Sequence, residues 1–208
     1  MSPEPAAPPR GAARRDHILD VALGLAGRLG PDALTHRRVA EAAGLPLAAT
    51  TYWFASKEEL LAETYRRAAE RDIARLEELG ARLSSQRPVA RRNLPGALAR
   101  LVTDELDGNR TGLVACYALW LEAARRPELR ELSRTWTSAY VRVAAELLAS
   151  AGSQDPELDA RIVVAALDGL SLDALVTDAP DAGRTVRAAL ERLLAALLAP
   201  ATRAGAAS

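Results

Sequence analysis

Residues 34–61, LTHRRVAEAAGLPLAATTYWFASKEELL, hold the groups best suited to specific chemistry. Thr35, His36, Arg37 and Arg38 bring a hydroxyl, an imidazole and two guanidiniums together in four residues. Placed on the first turn of a helix, they join backbone amides that a helix start leaves unpaired, a combination suited to phosphate oxygens. His36 has a second reading as a neutral histidine beside a cap. A metal role has only His17 for company. Further along, Ala48, Ala49, Thr50, Thr51, Tyr52 and Trp53 place small side chains, hydroxyls and two polar-tipped rings on one short segment. Alanine lets a helix backbone approach a surface closely, and threonine contacts bases through hydroxyl or methyl. A helix meant for water would carry Lys and Glu instead, so this face fits a groove. Thr50 and Thr51 are expected to set base preference. Tyr52 and Trp53 serve either as phosphate contacts or as core, and Phe54 is expected to be core. The amide of Lys57, at the positive end of the next helix, is a further phosphate contact.

These groups need elements to position them, and the local sequence supplies the punctuation. Thr35 caps a helix start, with Leu34 and Val39 at the two staple positions. Gly44 can take the left-handed conformation that ends that helix, and Pro46 suits the first turn of the next. Ser56-Lys57-Glu58-Glu59 is a capping box, in which the Glu59 carboxylate should reach back to the Ser56 amide. The result is a helix-turn-helix followed by a long helix. Ile18, Ala22, Leu25, Ala26 and Leu29 form one apolar stripe on a preceding helix, the scaffold for the other two. Gly24 and Gly27 in that helix imply a close crossing. Arg14 and Arg15 are either phosphate contacts or solvated tail charges.

This pattern resembles the N-terminal domain of the TetR (tetracycline repressor-like) family of transcriptional regulators. The match covers about residues 14–61, from the Arg-rich helix start through LTHRRVAEAAGLPLAATTYWFASKEELL. It is nearest the branch whose recognition segment ends Thr-Thr-Tyr-aromatic-Phe before Ser-Lys-Glu-Glu-Leu. Leu47 and Ala48 stand where Lys-Gly is often seen, and Leu25 where phenylalanine is common. The resemblance implies a homodimeric repressor of double-stranded operator DNA, released by a small-molecule inducer in the C-terminal domain. It also implies dimerisation through the last two helices, with inducer occupancy relayed through the connecting helix.

The rest of the 208-residue chain reads as helix. Segments are expected at 56–82, 94–106, 111–125, 127–151, 156–177 and 183–199, separated by Asp-Gly-Asn, Arg-Pro and Ala-Gly-Ser breaks. With no strand-like alternation, the fold class is all-α with about nine helices. The expected organisation is a disordered tail at 1–13, a three-helix DNA-binding domain at 14–55, a ligand-binding and dimerisation domain at 56–200, and a second tail at 201–208. The 156–177 segment is apolar nearly all round and must be buried on several faces, either inside one large core or partly against a twin. Ile162, Ala166 and Leu170, with Val186, Leu190, Leu193 and Leu197 on the last helix, are the expected dimer contacts. Cys116, Tyr117, Trp120, Trp136 and Tyr140 collect in one quarter of the chain, and Asp168 adds a carboxylate to an apolar helix. They either line an inducer cavity or fill the core.

Composition narrows the alternatives. Net charge is zero from 27 basic and 27 acidic residues, yet residues 1–57 carry seven Lys/Arg against five Asp/Glu, so the basic excess lies at the motif end. One cysteine excludes an internal disulfide, and no basic neighbour in sequence favours Cys116 as a redox sensor. No apolar run approaches the ~18 residues of a membrane span, and the Pro/Ala-rich start lacks an export-signal core, so a cytoplasmic protein without membrane contact is expected. There is no phosphate loop, no metal-spaced ligand set and no nucleophile with a base at useful spacing, so neither enzyme activity nor a cofactor is expected. The remaining competitor is a helical adaptor that binds another protein through 34–61.

Overall fold

The computed structural model describes residues 10–85, 93–178 and 181–199. Among them are nine α-helices and no strand, in agreement with the all-α expectation. They are α1 (Arg10–Leu29), α2 (His36–Ala42), α3 (Leu47–Trp53), α4 (Lys57–Ser84), α5 (Leu94–Gly108), α6 (Arg110–Arg125), α7 (Arg130–Ala151), α8 (Pro156–Thr177) and α9 (Ala182–Leu197). Short 3-10 turns at Pro31–Ala33 and Pro127–Leu129 lead into α2 and α7. Helix α1 starts at Arg10, so residues 10–13, expected in a tail, are helical. The remainder of that tail, and the one at 201–208, lie outside the described residues.

Caps fix the boundaries that the sequence announced. The Asp155 carboxylate accepts the Leu158 amide at 3.2 Å, and Pro156 occupies the first position of α8, where a missing N–H costs nothing. Gly152, at φ 90°, closes α7, with the Ser153 amide bonded to the Leu148 carbonyl.

The chain divides into two compact units, one grouping Met1–Asp72 with Asn109–Trp136 and the other Ile73–Gly108 with Thr137–Ser208. This division does not follow the expected boundary at residue 56, because the first part of α4 and all of α6 belong with α1–α3. In the first unit, α1 packs on α2 and α6. Ile18, Ala22, Leu25 and Ala26 are buried as the stripe requires, whereas Leu29 drops out of it and is exposed. Charges on the other side of α1 tie it to α4. Arg67 reaches Asp16 at 3.6 Å and Asp20 at 3.3 Å, Arg71 reaches Asp20 at 2.7 Å, and Arg15 pairs with Glu63.

In the second unit, α9 packs against α5 and α8. Leu94, Leu98, Leu147, Leu148, Val163 and Leu190 lie in its core. Helix α8 buries Ala160, Val163, Val164, Leu167, Ser171 and Ala174. It buries two polar side chains, and both are bonded: the Ser171 hydroxyl donates to the Leu167 carbonyl at 2.7 Å, and the Asp159 carboxylate accepts the Ser153 hydroxyl at 2.6 Å.

The crossing of α1 with α6 depends on Gly27. A Cβ there would lie 2.1 Å from the Thr111 carbonyl oxygen and 2.8 Å from its methyl. Gly24 faces only the mobile end of Arg28, 3.3 Å away. Gly27→Ala should therefore force the helices apart and cost about 1–3 kcal/mol, the range for overpacking a tight contact. Gly24→Ala should be neutral, or stabilising by up to about 1 kcal/mol through helix propensity. Urea unfolding of the two variants checks this, and equal midpoints would contradict the close crossing.

Candidate DNA-binding site

The α2–α3 unit is built by local bonds that the sequence encodes. The Thr35 hydroxyl accepts the Arg38 amide at 3.3 Å, and Leu34 and Val39 are both buried as a staple. At the other end of α2, Gly44 has φ 65°. Its amide bonds to the Glu41 carbonyl at 3.1 Å, and the Leu45 amide bonds to the Ala40 carbonyl at 2.9 Å. These are the two bonds of a Schellman termination, and the positive φ explains the glycine. Helix α3 follows, with Pro46 at its N-cap. At the start of α4, the Ser56 hydroxyl accepts the Glu59 amide at 3.0 Å. The Glu59 carboxylate accepts the Ala55 amide at 2.6 Å, one residue earlier than expected.

Thr50 requires a correction. It was expected to contact bases, but its side chain is 0% exposed. Its hydroxyl donates to the Leu47 carbonyl at 2.9 Å and lies 3.3 Å from the His36 carbonyl, so it fastens α3 to the start of α2. The exposed surface of α3 consists of Leu47, Ala48, Thr51 and Tyr52, with Ala49 half-buried. Tyr52 is 78% exposed, which removes the core reading for its ring. Trp53 is half-buried. Its indole lies across the first turn of α1, where a Cβ on Gly11 would sit 3.5 Å from it, and it meets Tyr52 edge-on with centroids 5.0 Å apart. Phe54 is core as expected, with the Arg15 guanidinium 5.6 Å above its ring.

Of the groups expected to contact phosphate, Arg37 and Arg38 are exposed and form no ion pair among the described residues. The Thr50 contact with the His36 carbonyl holds the start of α2, and with it these two arginines, against α3. His36 itself is half-buried and its Nδ1 has no hydrogen-bond partner. Arg15 is occupied by Glu63 and Phe54, whereas Arg14 is exposed. The Lys57 ammonium donates to the Asp32 carbonyl at 3.1 Å, so the residue's backbone amide is the part left to an anion.

The expected ligand residues divide between the two units, Cys116, Tyr117, Trp120 and Trp136 in the first and Tyr140 and Asp168 in the second. Trp136 is buried in the first unit, tilted against Tyr65 with centroids 5.4 Å apart, and its indole N–H donates to Asp72 at 2.8 Å. Tyr65 is fully buried, and its hydroxyl is 2.6 Å from that of Ser133. Burial pushes the Tyr65 phenol above its ordinary pKa and outweighs the opposing Ser133 hydrogen bond, with nearby Cys116 adding to the rise. Cys116 and Tyr117 are half-buried on α6. Trp120 is exposed, as is Asp168, so neither sits in an enclosed cavity within its unit. Tyr140 packs on the core of the other unit. Sequence reading missed Tyr65, Asp72 and Ser133, because Tyr65 and Asp72 meet Ser133 and Trp136 across more than sixty residues and carry no local signature.

The expected dimer residues also divide. Val186 and Leu190 are buried inside the second unit and unavailable to a partner. Ala166, Leu170, Leu193 and Leu197 are half-buried, and Ile162 is exposed. Ile162 belongs to a longer apolar stripe that the sequence reading did not separate: Leu158, Ile162, Ala165, Gly169, Leu172 and Val176, all exposed, with Val176 at 83%. Spacings of four and three residues place them on one face of α8, opposite its buried face. Nothing lies within 4 Å of a Cβ built on Gly169.

Comparison with known proteins agrees with this geometry. Residues 18–64 match the family described as bacterial regulatory proteins, tetR family, and residues 89–199 match the tetracyclin repressor-like C-terminal domain. A nicotine-responsive transcriptional repressor of Paenarthrobacter nicotinovorans, HdnoR, is 26% identical over 164 residues, covering 76% of this chain and 82% of that protein. The multidrug-binding protein EbrR, solved with imidazole, is 36% identical with a TM-score of 0.68, covering 97% of this chain and all of that one. EbrR has also been solved with ethidium and with proflavin. A TetR-family member from Streptomyces coelicolor is 37% identical with a TM-score of 0.69, covering 86% of this chain and 97% of that one. With its capped helix-turn-helix and all-helical remainder, this chain belongs to the TetR family of DNA-binding transcriptional regulators.

Proposed function

We propose that the protein is a cytoplasmic homodimeric repressor that holds operator DNA with two copies of α3 and lets go when a small molecule binds its C-terminal region. The observation that carries this reading is the seating of α3. Thr50 faces inward, Leu47, Ala48, Thr51 and Tyr52 face out, and unpaired Arg37 and Arg38 lie at the adjoining start of α2. Such a unit offers a small-residue face to a major groove and cations to the flanking phosphates. An adaptor needs neither the two exposed arginines nor the family match. Among the described residues, no helix is long and apolar enough to cross a membrane.

The second copy is assigned to the outer stripe of α8. An exposed row of aliphatic side chains along a helix of 22 residues is costly in water, and a two-fold pairing with its twin, flanked by Leu193 and Leu197 of α9, covers it. A dimeric reader of one operator needs its two α3 helices to meet successive major grooves, about 34 Å apart. The effector is taken to be a small aromatic molecule acting near Tyr65, Asp72, Cys116, Tyr117 and Trp136. Ethidium and proflavin, ligands of the similar EbrR, are the first probes. Release requires only that the effector favour the arrangement unable to span two grooves.

The function is tested by measuring binding to the gene's own upstream region at about 0.15 M salt, where non-specific binding is weak, with and without added effector. Sequence-independent binding, or none, would refute it. Arg38→Ala and Tyr52→Ala should weaken binding to all sequences alike, and Arg38→Ala should reduce the slope of log affinity against log salt by about one. Thr50→Val should lower stability by about 1 kcal/mol, the worth of the lost hydroxyl bond, and weaken binding to all sequences alike by loosening the seat of α3. A changed operator preference would return Thr50 to the base-contacting surface. Ile162→Asp, which puts a charge in the exposed α8 stripe, should leave helicity unchanged and convert dimers to monomers in sedimentation at micromolar concentration. Undiminished dimers would place the interface elsewhere.

A further inference from the structure

We infer that this regulator selects its DNA site through the 5-methyl groups of thymine, recognised by an apolar surface formed by Leu47, Ala48 and the methyl of Thr51. The inference rests on the DNA-binding reading of α3 and adds the chemistry of the bases it selects. The exposed surface of α3 is short enough to account for completely. Leu47 is 51% exposed, Ala48 and Thr51 are exposed, and Tyr52 stands out at the far end. Thr50 is turned inward, and Trp53 is laid against the first turn of α1.

No residue of α3 carries a guanidinium, ammonium, carboxamide or carboxylate. Those are the groups that bond in pairs to guanine O6 and N7 or adenine N6 and N7, or accept from cytosine N4. The Thr51 hydroxyl is directed back along the helix, 3.4 Å from the carbonyl oxygens of both Leu47 and Ala48. That leaves the methyl as the branch of this exposed residue with no hydrogen-bonding role. Thymine alone presents an apolar group on the major-groove edge, so it is the base that a Leu-Ala-methyl surface distinguishes. Covering the thymine methyl and Leu47 together removes apolar area of both partners from water, whereas a guanine or cytosine edge in the same place would lose hydrogen bonds to water without replacement.

The test uses full-length protein and duplexes enriched from a random library at about 0.15 M salt. The enriched duplex is resynthesised with deoxyuridine for thymine, one position at a time, which removes the 5-methyl and leaves base pairing unchanged. At the few positions that α3 covers, affinity should fall about three- to five-fold per methyl, the factor that burial of one such group supplies, and should hold elsewhere. Thr51→Val, which keeps the methyl and removes the hydroxyl, should retain the methyl dependence. Thr51→Ser, which does the opposite, should lose it at one position. Enrichment with no uridine effect at any position overturns the inference and leaves DNA binding standing, as does methyl dependence that survives Thr51→Ser and disappears in Thr51→Val. Enrichment of no sequence at all overturns both the inference and the reading beneath it.

Discussion

A helix of seven residues does not persist in water by itself, since nucleation costs more than two turns of hydrogen bonds return. Helix α3 therefore exists only because its surroundings impose it, and the Thr50 hydroxyl is the centre of that imposition. By meeting the Leu47 carbonyl within α3 and the His36 carbonyl on α2, it fixes the rotation of the short helix about its own axis. Phe54, buried at the C-cap, prevents the last turn from fraying, and the Gly44 turn sets where α3 begins. Which side chains face a groove follows from that rotation. A buried hydroxyl at the junction, its single proton shared between two carbonyls, bears on the function of residues it never touches.

The same junction shows where sequence reasoning succeeds and where it fails. Caps and turns were legible because each depends on residues within four positions: Thr35 on Arg38, Gly44 on Glu41, Ser56 on Glu59. The facing of α3 was not, because two turns give no periodicity to measure and threonine suits both a groove and a satisfied interior. One signal was present. Thr50 lies four residues before Phe54, and a core assignment for Phe54 already placed the intervening face inward. Helix α8 failed differently. All-round hydrophobicity shows more apolar surface than one buried face accounts for, but the sequence does not say which face meets its own unit. Only the packing of its neighbours, α5 and α9 among them, separates Val163 and Leu167 from Leu158, Ile162 and Leu172. The Tyr65–Trp136 pair and its Asp72 partner were beyond reach, because contacts across that separation depend on the fold itself.

Charge is distributed in a way that bears on how DNA is gripped. A zero net charge would be surprising in a strongly electrostatic binder. Much of the positive charge near the reading unit is committed internally. Arg15, Arg67 and Arg71 hold α1 against α4, and the Lys57 ammonium is bonded to the Asp32 carbonyl. Arg14, Arg37 and Arg38 remain for phosphate. Rigidity in the scaffold is thus obtained with the residues that would otherwise raise non-specific affinity.

A weak phosphate grip has consequences for the rest of the molecule. With few phosphate contacts per copy, one reading unit gains little from counterion release, so useful affinity at cellular salt must come from two copies bound together. On the proposed reading that makes dimerisation a requirement of function, which pairing along the exposed α8 stripe would meet. It also makes the regulator easy to switch. When two modest contacts must be made at once, a small change in their separation removes one of them and with it the whole advantage of linkage. An effector then needs only a modest preference between arrangements to clear the operator, whereas a strongly basic protein would still be held to DNA by its charge.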